Sequence, residues 1–138
     1  MKLLLIEDNP DDVEIVKRLA RSSDPAIEVA VSPTGAHALK WLGERGGQPD
    51  LILLDLGLPG MSGTAVLAAI KEHAALQDVP VIVLSGSSND EDILEGVRLG
   101  AHSHIGKPIS QADFAWIVAS VRKAQPRLLA LRGLQERW

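Results

Sequence analysis

The sequence contains no cysteine, no tyrosine and a single phenylalanine, and its acidic residues outnumber its basic ones. Without cysteine there can be no disulfide, no thiolate zinc site and no cysteine nucleophile. A net charge of -4 and a pI near 5.5 give no overall attraction for nucleic acid. No apolar stretch approaches the ~20 residues of a membrane-spanning helix. The apolar run at residues 3–6 looks like the start of a signal peptide, but Glu7 and Asp8 interrupt it too early. The sequence therefore reads as a soluble, cytoplasmic chain with neither a membrane nor a nucleic acid as partner.

What is present fits one domain. The chain has 138 residues, 46% hydrophobic and 23% charged, enough apolar material for a core and too little charge density for disorder. The charge is unevenly spread: Arg122, Lys123, Arg127, Arg132 and Arg137 stand against Glu136 alone, a net +4, which leaves -8 for the preceding residues. Five spaced positive charges suit a solvated helix face. We divide the chain into a domain over residues 1–124 and a helical extension over residues 125–138.

Short apolar runs at residues 3–6, 27–31, 51–54 and 81–84, and a weaker one at 103–105, alternate with segments of helical period. Runs that are apolar at nearly every position suit strands covered on both faces, as in a parallel sheet. Asn9-Pro10 offers a cap and a first-turn proline to a helix whose one face carries Asp12, Ile15, Val16 and Leu19. A second helix runs from about Gly35 to Glu44 and stops at Gly46-Gly47. A third carries Val66, Leu67, Ile70 and Ala74. A fourth carries Ile93, Leu94 and Val97, capped by Asn89 or Asp90, and a fifth carries Phe114, Ile117, Val118 and Val121. Five βα units predict a doubly wound α/β fold with five helices and a short C-terminal extension.

In such sheets ligands bind outside the carboxyl ends of the strands. Those ends carry Glu7-Asp8, Asp55, Ser85 and, just past the last strand, Lys107. Each has an ordinary reading alone: a helix-dipole complement, a turn aspartate, a turn serine, a surface lysine. Together they put three carboxylates, a hydroxyl and a lysine on one sheet edge. Clustered carboxylates either protonate or take a cation, and Mg²⁺ suits an oxygen-only site.

Glu7-Asp8, Asp55 followed by Leu58-Pro59 and Gly63, Ser85-Gly86 and Lys107-Pro108 resemble the response-regulator receiver family, in its order and spacing over residues 1 to about 124. The resemblance implies a flavodoxin-like five-stranded sheet of order 2-1-3-4-5. It also implies a Mg²⁺ ion on Asp8, Asp55 and the Gly57 carbonyl, with Glu7 acting through water. Asp55 would accept a phosphoryl group, Lys107 and Ser85 would hold its oxygens, and a cis bond would precede Pro108. The backbone N–H groups following Asp55 and Ser85 would complete the cradle.

Ser85 would also be a switch residue, moving toward the phosphoryl group. The aromatic residue that the family usually places on strand five is replaced here by His104, read as a shape substitute or as a pH-sensitive element. His73 and His102 read as surface residues. Gly57 and Ser87, at positions that tune dephosphorylation, are both small and should shield an acyl phosphate poorly.

A single-domain regulator signals by protein contact. Trp116 lies opposite the apolar stripe of the fifth helix, and Leu128, Leu131, Leu134 and Trp138 recur at near-helical spacing. Together they suggest a homodimer surface; in the alternative the extension folds back over Trp116. Asn9-Pro10 with Asp12, the Leu-Gly-Leu-Pro loop and residues 85–90 narrow the resemblance to regulators of phytochrome-type light sensors. The implied partners are a sensor histidine kinase, such as a bacteriophytochrome, and a downstream protein target or phosphotransfer protein. An aspartate-nucleophile phosphatase of the haloacid-dehalogenase type would need a second aspartate where Gly57 stands. A flavin module would need a phosphate cradle where the loop after strand one is acidic. A degenerate receiver that only binds partners would not keep the acid triad and the lysine.

Overall fold

The apolar runs form five parallel strands in the computed structural model, which describes residues 1–44, 48–86 and 98–124. They are β1 (Lys2–Ile6), β2 (Glu28–Ser32), β3 (Leu51–Asp55), β4 (Val81–Ser85) and β5 (Ser103–Gly106), in the expected order β2-β1-β3-β4-β5. Among the described residues there are four α-helices: α1 (Pro10–Ser23), α2 (Gly35–Glu44), α3 (Gly63–Glu72) and α4 (Gln111–Ala124). A short 3-10 turn, Ala74–Leu76, follows α3. The helix expected around Ile93, Leu94 and Val97, the residue Ser87 and the extension over residues 125–138 lie outside the described residues, so α4 is the fifth helix of the sequence reading.

Strand β2 begins one residue later than expected. Ile27 is buried, yet its N–H bonds the Asp24 carbonyl at 3.0 Å, and Ala26 N–H bonds Asp24 Oδ1 at 2.9 Å. Ile27 thus closes the turn, and the ladder opens at Glu28, whose N–H bonds the Met1 carbonyl at 2.9 Å.

Alternation along the strands builds two cores. Leu3, Leu5, Leu51, Leu53, Ile82 and Leu84 face Val16 and Ala20 of α1 and Phe114, Ile117, Val118 and Val121 of α4. Leu4, Ile6, Ile52, Leu54, Val81 and Val83 face α2 and α3. The strands are therefore apolar at every position because both faces are covered.

The helices start where local chemistry demands. Asn9 Oδ1 accepts from the N–H groups of Asp11 (2.9 Å) and Asp12 (3.4 Å), with Pro10 opening the first turn. Ser62 Oγ caps α3 through Ala65 N–H. Ser110 and Asp113 cap α4 reciprocally, at 3.0 and 3.1 Å. Arg122, read in the sequence as part of a solvated basic face, instead forms a half-buried ion pair with Asp24 at the end of α1.

Candidate functional site

Register and parity bring the charged residues together. Ile6 pairs with Leu54, and Asp55 with Leu84. Successive side chains alternate, so Glu7, one step past Ile6, and Asp55, one step past Leu54, turn to the face covered by α1 and α4. Lys107 lies two steps past Ile105, on the same face. Its backbone N–H bonds the Ser85 carbonyl at 2.8 Å, and its bond to Pro108 is cis, as expected.

The side chains meet. Ligand oxygens of Glu7, Asp8 and Asp55 all lie within 4.8 Å of one another. Lys107 Nζ is 2.7 Å from Glu7 Oε2, 3.0 Å from Asp12 Oδ2 and 3.3 Å from Asp55 Oδ2. Glu7 is only 1% exposed and Asp55 only 5%, whereas Asp8 opens to solvent. Glu7 Oε1 accepts the Asn9 N–H at 3.2 Å. Asp55 Oδ1 accepts the Gly57 N–H at 3.0 Å. The Leu56 N–H does not face the acceptor, because it is committed to the Leu84 carbonyl at 3.0 Å. Of the two backbone donors that follow Asp55, the one aimed at its carboxylate is Gly57.

The loop after β3 is shaped to permit this. Leu58 is buried against the α2–α3 core and anchors the loop, and Gly60 turns the chain with φ 76°. A Cβ on Gly63 would stand 2.5 Å from Leu56 Cα and 2.8 Å from the Asp55 carbonyl oxygen. Glycine alone lets α3 start against the backbone that presents Asp55.

The electrostatics are unbalanced. Burial pushes the Glu7 carboxyl above its usual value, and Asp55 adds to the rise, against the pull of the Lys107 ammonium and the Asn9 N–H. Burial also works against the Lys107 charge, but its hydrogen bonds to Glu7 and Asp12 and the charges of Asp55 and Glu7 outweigh it and raise Lys107 above the ordinary lysine value. Glu7, Asp12 and Asp55 share one ammonium and Asp8 adds a further carboxylate beside Glu7 and Asp55, so a divalent cation would relieve the remaining repulsion. The oxygen-only donor set fits a hard divalent metal.

The profile of the family described as "Response regulator receiver domain" matches residues 3–119. The chain belongs to the response regulator receiver family. This receiver is 32% identical over 124 residues to response regulator Rcp1 of Synechocystis, covering 86% of this chain and 84% of that protein. It is also similar to the solved phosphorylated cyanobacterial phytochrome response regulator RcpA, at 35% identity and TM-score 0.76, covering 88% of this chain and 91% of the other. The bacteriophytochrome response regulator AtBRR matches at 31% identity and TM-score 0.76, covering 87% and 91%. A receiver of two-component signalling is what the sequence reading expected. Among the described residues, no helix is long and apolar enough to cross a membrane.

The remaining expected residues fall at different places. Ser85 ends β4, is buried and is aligned with Gly106, one residue ahead of Lys107. His104, paired with Val83, turns to the α3 side of the sheet, and its Nε2 is sealed from solvent with no hydrogen-bond partner among the described residues. Trp116 is 52% exposed on α4, on the side away from the core, as its position in the helical repeat predicts. His73 and His102 are exposed.

Asp12 was read as part of a helix face and not as a site residue, yet the receiver brings it to Lys107. A signal was present: a carboxylate four residues after Asp8, at the head of the apolar stripe of the first helix.

Proposed function

We propose that this receiver takes a phosphoryl group onto Asp55 from a sensor histidine kinase, with Mg²⁺ held by Asp8, Asp55 and the Gly57 carbonyl and by Glu7 through water. The observation that carries the reading is the meeting of three carboxylates within 4.8 Å beside a lysine 3.3 Å from Asp55 Oδ2. A crystal structure of Rcp1 is described as its Mn²⁺-bound form, at 31% identity, which supports a divalent ion here.

Asp55 is the nucleophile: a carboxylate oxygen forms the new O–P bond while the donor's bond to phosphorus breaks and its electron pair leaves with the donor. When bound, the metal supplies charge neutralisation for the phosphoryl oxygens. Lys107 pairs with one phosphoryl oxygen and the Ser85 hydroxyl donates to another, while the Gly57 N–H steadies the acceptor from 3.0 Å. Ser85 and His104 then report the event, His104 filling on the α3 side the place of the usual aromatic ring. The protein is thus a switch that acts only on its own phosphoryl group. A phosphatase would need an acid at Gly57, which has no side chain.

RcpA and AtBRR are described as phytochrome and bacteriophytochrome response regulators, which supports a phytochrome-type kinase as the donor. We assign output to contact with a downstream or phosphotransfer protein in the cytoplasm. Trp116 on α4 contributes to a homodimer surface together with Leu128, Leu131, Leu134 and Trp138 of the extension. Intact-mass measurement after incubation with acetyl phosphate and Mg²⁺ tests the chemistry. One added phosphoryl group on the parent and none on Asp55→Asn is expected. No addition to the parent, with Mg²⁺ binding verified and turnover shown to be too slow to hide a product, would overturn it.

A further inference from the structure

Lys107 is held by a residue outside the acid cluster. Of its three carboxylate partners among the described residues, Glu7 and Asp55 belong to the cluster of metal-competent oxygens, and Asp12 does not. Asp12 sits in the first turn of α1, and its position is fixed by a short relay. Glu7 Oε1 accepts from Asn9 N–H at 3.2 Å, and Asn9 Oδ1 in turn accepts from Asp12 N–H at 3.4 Å. From there Asp12 Oδ2 accepts a hydrogen bond from Lys107 Nζ at 3.0 Å.

The difference matters once the cluster is engaged. A cation drawn to Glu7, Asp8 and Asp55 divides their charge with itself and repels the ammonium. Two of the three contacts of Lys107 weaken together, while that to Asp12 keeps an undivided charge. We propose that Asp12 is a positioning residue that keeps Lys107 aimed at Asp55 when the cluster holds its cation. It acts on phosphoryl uptake through the lysine, an inference that rests on the reading of the site given above.

Asp11 supplies the control. It is exposed, lies in the same first turn and shares the favourable interaction with the helix N-terminus, but makes no ion pair with Lys107 among the described residues. If Asp12 served only the helix, Asp11 and Asp12 would be interchangeable.

Two measurements on the full chain in saturating Mg²⁺ decide the matter, with folding of each variant checked by thermal melting. The first is the rate at which formaldehyde and borohydride methylate Lys107, read by peptide mass spectrometry with the exposed Lys40 and Lys123 as internal references. The second is the rate of phosphoryl uptake from acetyl phosphate. Asp12→Asn is expected to speed methylation of Lys107 about fivefold and slow uptake about fivefold, the scale of one partly exposed ion pair. Asp11→Asn should change neither by more than about twofold. Unchanged Lys107 methylation in Asp12→Asn, or equal effects of the two substitutions, would overturn the proposal. If the unsubstituted chain takes up no phosphoryl group, the reading of the site fails, and the methylation comparison still decides whether Asp12 holds the lysine.

Discussion

Strand β3 carries an aspartate at each end, and the two are almost equally hidden, Asp50 at 6% and Asp55 at 5% exposure. Asp50 lies just before the strand and works for the fold. Its Oδ2 accepts the Lys2 N–H at 2.8 Å, and its own N–H bonds the Lys2 carbonyl at 2.7 Å, fastening the start of β1. Asp55 closes the strand facing two more carboxylates and a shared lysine. Burial is common to both, so burial is not what marks a chemical role. The mark is crowding of like charge that the chain itself does not neutralise.

Exchanging each carboxylate for its amide gives the sharpest contrast. Asp55→Asn should lower phosphoryl uptake by ~100-fold or more, since the attacking oxygen is gone. Asp50→Asn should leave uptake in the folded protein within about twofold, as expected for a site remote from the chemistry. Comparable losses in intact-mass assays would dissolve the distinction. Next comes the backbone that presents Asp55. Gly63→Ala must displace the main chain of Leu56, so a loss of ~3 kcal/mol is expected in urea titrations. A neutral result would mean that α3 is not pressed against the acceptor.

Asp50→Ala leaves the Lys2 N–H without its side-chain acceptor and should cost ~1–3 kcal/mol in the same titrations. Smallest, and opposite in sign, is Asp8→Asn. Removing one of three crowded charges should raise the melting temperature of the metal-free protein by ~2–4 °C while weakening the stabilisation given by added Mg²⁺. A lowered melting temperature would show that Asp8 is a fold residue like Asp50.

The strands and the core-facing stripes of the helices were legible because both cores depend on repeating patterns, of period two and about 3.6; the strand order came from the resemblance to receivers, because no local pattern encodes which strands pair. The cap at Asn9 and the outward direction of Trp116 followed from the same rules. Glu7, Asp8, Asp55, Ser85 and Lys107 were legible because all sit at strand ends, where topology fixes proximity. Asp12 was legible only as a carboxylate close in sequence to Asp8, because its pairing with Lys107 depends on how α1 lies across the sheet, a tertiary fact. The same holds for Arg122, whose partner is far away in the chain at Asp24. The late start of β2 reflects the turn at Asp24, which holds the Ile27 N–H, with the ladder opening at the Glu28 N–H.

The parity that turns Glu7, Asp55 and Lys107 to a single face has a consequence for how such a chain can change length. Each strand acts as a counter with two settings, and one residue inserted within β3 would send Asp55 to the side of α2 and α3, away from the lysine, even if every residue type were kept. Two added residues would restore the facing but lift the carboxylate by about 7 Å, beyond reach of its partners. Insertions and deletions compatible with this chemistry are therefore kept out of β1, β3, β4 and β5, the four strands that end at the site, which can vary in what they carry but not in how long they are.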